Sequence, residues 1–161
     1  MTNFVGIGFD SHRFKEGNGL ILAGVLVPYN KSFDAHSDGD IICHAVIDAI
    51  LGALSVELEY NNIGTLYPDN SLKFKNANSL NLLKELMNKI SSDFIINNCD
   101  ITVILQEPKL KDYLPNMISN LKKILKTNRV NIKPKTAELM GFIGNNEGAA
   151  AFAILSISKI K

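Results

Sequence analysis

The sequence predicts an α+β fold, an α/β sandwich in which a four-stranded mixed β-sheet carries helices on one face, with a small N-terminal hairpin beside it. Segments of period-two alternation interleave with segments of helical period, the pattern of one sheet covered on one side by helices. No internal repeat, Pro/Gly/Ser linker or low-complexity tract interrupts the chain, so residues 1–161 read as a single domain. The 161 residues, 46% of them hydrophobic, suffice for one core that buries roughly 70% of the unfolded chain's surface.

Residues 4–12 and 20–29 are β-rich and flank the turn signal Glu16-Gly17-Asn18-Gly19, which predicts a hairpin with a longer loop. Residues 38–54 have helical spacing, with Ile42, Ala45, Val46, Ala49 and Ala53 on one face and Ser37 or Asp38 available as the N-terminal cap. Ile47 and Leu51 make that helix apolar nearly all round, so it must be covered on two sides, the second of which a subunit interface could supply. Residues 55–78, rich in Asn and carrying Gly64 and Pro68, read as a long surface loop of the kind that often serves function. Amphipathic helices are expected at 79–91 and 113–126, and strands at 94–105, 129–136 and 149–157.

A formal net charge of +1 gives no long-range field toward nucleic acid or membrane, so an anionic ligand must be held by local groups. Cys43 and Cys99 form no metal-type pair and no secreted disulfide framework, which favours a reducing compartment. Nothing at the N-terminus reads as a secretory leader, and no apolar stretch reaches the ~18 residues of a membrane span. The chain is therefore expected to be soluble and cytoplasmic, or stromal in a plastid if a leader has been removed.

Two polar clusters carry chemistry. In Gly8-Phe9-Asp10-Ser11-His12 the side chains of Asp10 and His12 fall on the same face of a strand, because the period is two. In the run from His36 to His44, followed by Asp48, the residues Asp40, His44 and Asp48 lie four apart along one helical stripe. Each histidine alone is an ordinary hydrogen-bonding residue, but all three of the chain fall in these clusters. Two His and one Asp, here Asp10, His12 and His44, with a fourth position open form the ligand set of a catalytic Zn²⁺ site, one ion per chain. Gly6 and Gly8 do not make a dinucleotide motif, since the third glycine and the following helix are missing. Residues 106–111 follow a strand and read either as an ordinary solvated strand-to-helix connection or as a ligand-contacting loop, and residues 133–138 bring together cations, the Thr136 hydroxyl and the Glu138 carboxylate. That second inventory suits a diphosphate with a second divalent cation. A zinc-dependent phosphohydrolase, in which water is the nucleophile, uses the same residues.

Taken together, Gly-x-Gly-x-Asp-x-His at residues 6–12, Ala35-His36-Ser37-Asp38-Gly39-Asp40 with His44-Ala45 and Asp48-Ala49, Tyr67-Pro68-Asp69, the loop 106–109, and residues 133–138 with Gly141-Phe142 and Glu147-Gly148 occur in an order that spans the chain. In this the sequence resembles the 2-C-methyl-D-erythritol 2,4-cyclodiphosphate synthase family of the non-mevalonate isoprenoid pathway. The resemblance implies a lyase that cyclises 4-diphosphocytidyl-2-C-methyl-D-erythritol 2-phosphate and releases CMP. It implies a homotrimer with active sites between adjacent subunits and an apolar central channel, near which Phe9 and Phe142 would lie.

By the same resemblance, His36 and Thr136 stabilise the transition state, and Glu138 helps hold Mg²⁺ or Mn²⁺. Ser37 contacts the phosphate or methylerythritol unit, Tyr67, Pro68, Asp69, Asn70 and Ser71 line the methylerythritol pocket, and Ser11 is a further substrate-binding residue. Asn62, Ile63 and Gly64 hold the ribose. Leu105, Gln106, Glu107, Pro108, Lys109, Leu110 and Lys111 hold cytosine largely through backbone groups, with Lys135, Ala137, Phe142 and Asn145 completing the binding surface. A non-catalytic cytidine-nucleotide-binding trimer is the remaining reading of the same residues.

Three positions depart from the family pattern. Asn61-Asn62-Ile63-Gly64 stands in place of Gly-Asp-Ile-Gly, after an apparent insertion at 56–60; Ser71 ends the Pro-Asp-x-Asp turn; and Asn145 replaces a basic residue. An amide oxygen at Asn62 still accepts a hydroxyl hydrogen bond.

Overall fold

The computed structural model describes residues 2–68 and 77–160. Strand β1 (Asn3–Glu16) alternates as its sequence dictates, with Phe4, Gly6, Gly8, Asp10, His12 and Phe14 on one face and Val5, Ile7, Phe9, Ser11 and Arg13 on the other. It is followed by β2 (Leu20–Leu22), β3 (Val25–Val27), β4 (Lys31–Phe33), helix α1 (Ile41–Ala53), the single turn α2 (Ile63–Leu66) and helix α3 (Ser79–Ile90). Strand β5 (Phe94–Ile104), helix α4 (Leu114–Leu125), β6 (Val130–Lys135), the turn α5 (Gly141–Gly144) and β7 (Gly148–Lys159) complete the chain.

The main sheet has five strands in the order β4-β1-β7-β5-β6, not four. Only β5 and β6 run parallel, joined through α4, and the other pairs are antiparallel. The additional strand, β4, is three residues long and pairs Phe33, Ser32 and Lys31 with the far end of β1, too short to leave a period in the sequence.

The expected hairpin is also different. Residues 4–12 pair with β7, while 20–27 fold back on themselves as β2 and β3. The reason is local: Ala23 (φ 47°) and Gly24 (φ 73°) both take positive φ, the two-residue turn whose twist suits a tight hairpin.

Helix α1 starts later than its spacing suggests. Its cap is Asp40, whose carboxylate accepts the Cys43 N–H at 3.0 Å, rather than Ser37 or Asp38. The same carboxylate accepts the N–H groups of Ala23 (2.9 Å) and Gly24 (2.8 Å), so it ties the helix to the hairpin turn. Burial pushes Asp40 above the usual carboxylate range, and these three N–H groups offset only part of that shift. Ile47, Ile50 and Leu51 are fully buried within one chain. The second apolar side of α1 is therefore covered by α3 and β2, not by another subunit.

Helices α3 and α4 face the core with Leu83, Leu86, Met87 and Ile90, and with Met117, Leu121 and Leu125. Among the described residues the opposite face of the sheet carries no helix. There Val5, Ile7, Phe9, Phe152 and Ile154 are 41–67% exposed, and the cross-strand rings of Phe9 and Phe152 stand 4.8 Å apart. Among the described residues no helix is long and apolar enough to cross a membrane.

Candidate metal centre and substrate cleft

The site begins with two glycines. A Cβ on Gly6 would come within 1.9 Å of the Ala49 carbonyl oxygen, and one on Gly8 within 1.9 Å of that of Ala45. With hydrogen at these positions and Ala45 and Ala49 opposite, the backbone of α1 lies directly on β1. The close approach brings His44, one residue before Ala45, over Asp10 and His12, which follow Gly8 on the same face of the strand.

Asp10 Oδ2 lies 3.0 Å from His12 Nδ1 and 3.0 Å from His44 Nδ1. One ligand atom from each of the three residues can be chosen so that all lie within 4.8 Å of one another. Only His44 directs its Nδ1 at the carboxylate as a hydrogen bond. His12 Nδ1 is buried, close to Asp10, and unbonded. A buried imidazole nitrogen without a hydrogen-bond partner, beside a carboxylate and a second imidazole, fits a divalent metal ligated by N, N and O.

Burial pushes Asp10 up, but the adjoining imidazoles of His12 and His44 outweigh it and hold the carboxyl below its usual value. For His44 burial acts downward, and the Asp10 hydrogen bond and charge, with Asp40 and Asp38 behind them, leave it raised.

The three groups open into a cavity of about 220 Å³, lined also by His36, Ser37, Ile63, Gly64 and Tyr67. Ser37 Oγ lies 3.4 Å from His44 Nε2. The expected stripe of Asp40, His44 and Asp48 is divided among three tasks. Asp40 turns to the hairpin, His44 to the site, and Asp48 Oδ1 accepts the Ile63 N–H at 3.3 Å, anchoring α2.

Asn62 is the α2 cap: its Oδ1 accepts the Thr65 N–H at 3.1 Å, and the Thr65 side chain accepts the Asn62 N–H in return. Its side chain oxygen is thus already engaged by the backbone. Tyr67 donates its hydroxyl to the Leu82 carbonyl at 3.1 Å and is pushed up to about 12 by burial and by Glu85, so it remains a donor at neutral pH. Pro68 ends the described part of this segment; Asp69, Asn70 and Ser71 lie outside the described residues.

A second cavity, about 180 Å³, gathers Leu105, Gln106, Pro108, Lys109, Leu110 and Lys111 with Pro134, Lys135 and Thr136. Leu105 and Leu110 are buried and anchor the loop, while Glu107 and Lys109 are exposed. Thr136 donates its hydroxyl to Glu138 Oε1 at 2.6 Å, and Ala137 accepts the Met140 N–H at 2.9 Å. Ser11, Phe142 and Asn145 line neither cavity. They border a broad cleft of about 1310 Å³ with Arg13, Lys15 and Lys31. Within one chain the predicted residues therefore form separate groups, with Asp10, His12, His44, His36 and Ser37 together and Thr136 with the 105–111 loop apart.

Sequence reasoning did not single out Ser79. It is fully buried, opens α3, and places its hydroxyl 2.8 Å from His44 Nε2. The one available signal was a Ser before an apolar run, which reads as an ordinary helix start.

The model of the YgbB family matches residues 4–158. A bifunctional enzyme IspD/IspF of Campylobacter fetus is 50% identical over 157 residues, and the match spans 96% of this chain and 41% of the relative. The chain thus covers less than half of that relative's length. The 2-C-methyl-D-erythritol 2,4-cyclodiphosphate synthase of Enterococcus faecalis is 44% identical, with 96% of this chain and 98% of the relative covered. The solved structure described as IspF (Plasmodium falciparum) CDP complex superposes with a TM-score of 0.83 at 33% identity, covering 99% of this chain and 97% of the other.

Proposed function

The chain belongs to the YgbB family, and from that membership we propose that it cyclises 4-diphosphocytidyl-2-C-methyl-D-erythritol 2-phosphate to 2-C-methyl-D-erythritol 2,4-cyclodiphosphate with release of CMP. A 2-phosphate oxygen attacks the β-phosphorus, the bond from that phosphorus to the bridging oxygen breaks, and CMP leaves with the bonding pair. The observation that carries this reading is the convergence of Asp10, His12 and His44 within 4.8 Å, in a chain 44% identical to a named synthase along nearly its whole length.

An intramolecular attack asks the protein chiefly to position two anionic groups and neutralise their charge. Asp10, His12 and His44 would hold Zn²⁺, one per chain, which supplies Lewis-acid charge at a phosphate oxygen. Glu138 would share a second divalent cation, Mg²⁺ or Mn²⁺, with the substrate's phosphates, as suits an ion that keeps few protein ligands. His36 and Ser37 border the first cavity and orient the methylerythritol phosphate. Ile63 and Gly64, fixed by Asp48 and the Asn62 cap, present backbone to the ribose. The 105–111 loop receives cytosine, and Thr136 the diphosphate.

Neither of these two cavities, about 220 and 180 Å³, reaches the ~300–1,000 Å³ usual for a ligand of this size. That separation, with the apolar face of Val5, Ile7, Phe9, Phe152 and Ile154, supports a homotrimer in which the first cavity of one copy meets the second of its neighbour. The proposed setting is the bacterial cytosol.

Purified chain incubated with the substrate and followed by phosphorus NMR tests the reaction. A cyclic diphosphate and CMP are expected, and an opened monophosphate would mean hydrolysis instead. Sedimentation of the purified protein as a single-chain species would remove the trimer.

A further inference from the structure

We propose that Ser79, held by Asp38, is a positioning residue that fixes the protonation of His44, keeping the proton on Nε2 and leaving Nδ1 as the metal-ligating atom. The inference rests on the metal reading of Asp10, His12 and His44 and concerns what stands behind those ligands.

Ser79 has one hydroxyl proton to give. Its oxygen makes a short contact with Asp38 Oδ1, and its backbone N–H donates to Asp38 Oδ2 at 2.9 Å. Asp38 Oδ1 also accepts the Asp40 N–H at 3.1 Å. Asp38 accepts from two backbone N–H groups and from the Ser79 hydroxyl, so the single Ser79 proton is committed to Asp38. The remaining contact of the Ser79 oxygen, 2.8 Å to His44 Nε2, is then one in which serine accepts. Nε2 must carry a proton. Ser37 Oγ, 3.4 Å from the same nitrogen and already accepting the Gly39 N–H at 3.2 Å, does not compete at that distance.

The other ring nitrogen, Nδ1, is hydrogen-bonded to Asp10 at 3.0 Å on the side of the ligand cluster, and it is the proton at this position that a bound ion would replace. A histidine that donates one N–H to an outer oxygen is held in one ring orientation and one tautomer, and its free nitrogen gains basicity toward an ion. Ser79 can do this because it is fully buried at the first turn of α3, while Asp38 sits 41 positions earlier in the loop before α1. One three-residue chain thereby ties the N-terminus of α3 to the site.

Zinc alone is the probe. In zinc-loaded wild-type protein labelled with ¹⁵N-histidine, long-range ¹H–¹⁵N correlation is expected to show His44 ligated through Nδ1, with its Nε2 proton directly visible and slow to exchange. Ser79→Ala is expected to speed that exchange and to weaken zinc binding, titrated against a chromophoric chelator, by roughly 10–100-fold, and Ser79→Thr to restore both in part. Ligation through Nε2 in the wild type overturns the proposal whatever the variants do. So does a Ser79→Ala protein that holds zinc as tightly as wild type with its Nε2 proton equally protected. Wild-type protein that takes up no zinc overturns the metal reading itself, and with it this inference.

Discussion

Gly8 and Ala45 touch through backbone alone: a methyl group on the strand residue would sit 1.9 Å from the carbonyl oxygen of the helix residue. The clash is with backbone, so no rotamer change relieves it, and α1 must lift from β1. Gly8→Ala is therefore expected to destabilise the fold by about 3 kcal/mol, the upper end of ordinary overpacking. It should also separate His44 from Asp10 and His12. Denaturant unfolding and zinc titration of one preparation check both consequences, and an unchanged midpoint would show that the helix has room to move.

His44→Ala removes one of the three ligand groups while substituting the best helix former at a position inside α1. Zinc retention after purification is expected to fall to background with the far-ultraviolet circular dichroism unchanged. Elemental analysis is the measurement, and a full zinc complement in the variant would remove His44 from the ligand set.

Asn62 caps α2, and its expected second role is to meet the ribose. Asp caps as well as Asn, so Asn62→Asp should leave stability within a few tenths of a kcal/mol and change KM more than kcat. Asn62→Ala should lose the cap, about 1 kcal/mol locally, and raise KM. Steady-state kinetics with the cytidine substrate decides, and a pure kcat effect in the Asp variant would place position 62 away from the ribose.

On the helix-free face, the Asp100 carboxylate is hydrogen-bonded by Lys133 and by Asn131, and the Lys133 bond above all holds it below the usual carboxylate range. A carboxyl depressed in the folded state contributes stability that is complete above its unfolded value, about 3.9, and is lost as pH falls through the folded one. Asp100→Asn should thus flatten part of the stability loss below about pH 4 and do little at pH 7. Thermal melts across the acid range test this, and an unaltered acid slope would show that solvent screens the pair.

What was legible in the sequence is what repeats along the chain. The alternation that put Asp10 and His12 on one face, and the 3.6-residue spacing of α1, α3 and α4, survive because each is set by neighbours a few positions away. Strand β4 escaped because three residues make no period, and the Ala23-Gly24 turn because alanine at positive φ carries no turn signature. Gly6 and Gly8 looked like a failed nucleotide loop until α1 lay across them. Asp40 reads as part of a polar helical stripe and Ser79 as an ordinary helix start. Their partners, the hairpin turn and Asp38, lie too far along the chain for any local pattern to join them.

The metal cluster also bears on when the ion can be acquired. Asp10 and His44 stand 34 positions apart and meet only across the seam between strand and helix. An extended chain has no such pocket, and a nascent one acquires it only after the helix has docked. Loading is then a late event that fastens what has already formed. At free ion one hundred times Kd it would add about 2.7 kcal/mol to a fold whose whole margin is on the order of ten. Chelation should consequently lower the melting temperature, and zinc in excess should raise it.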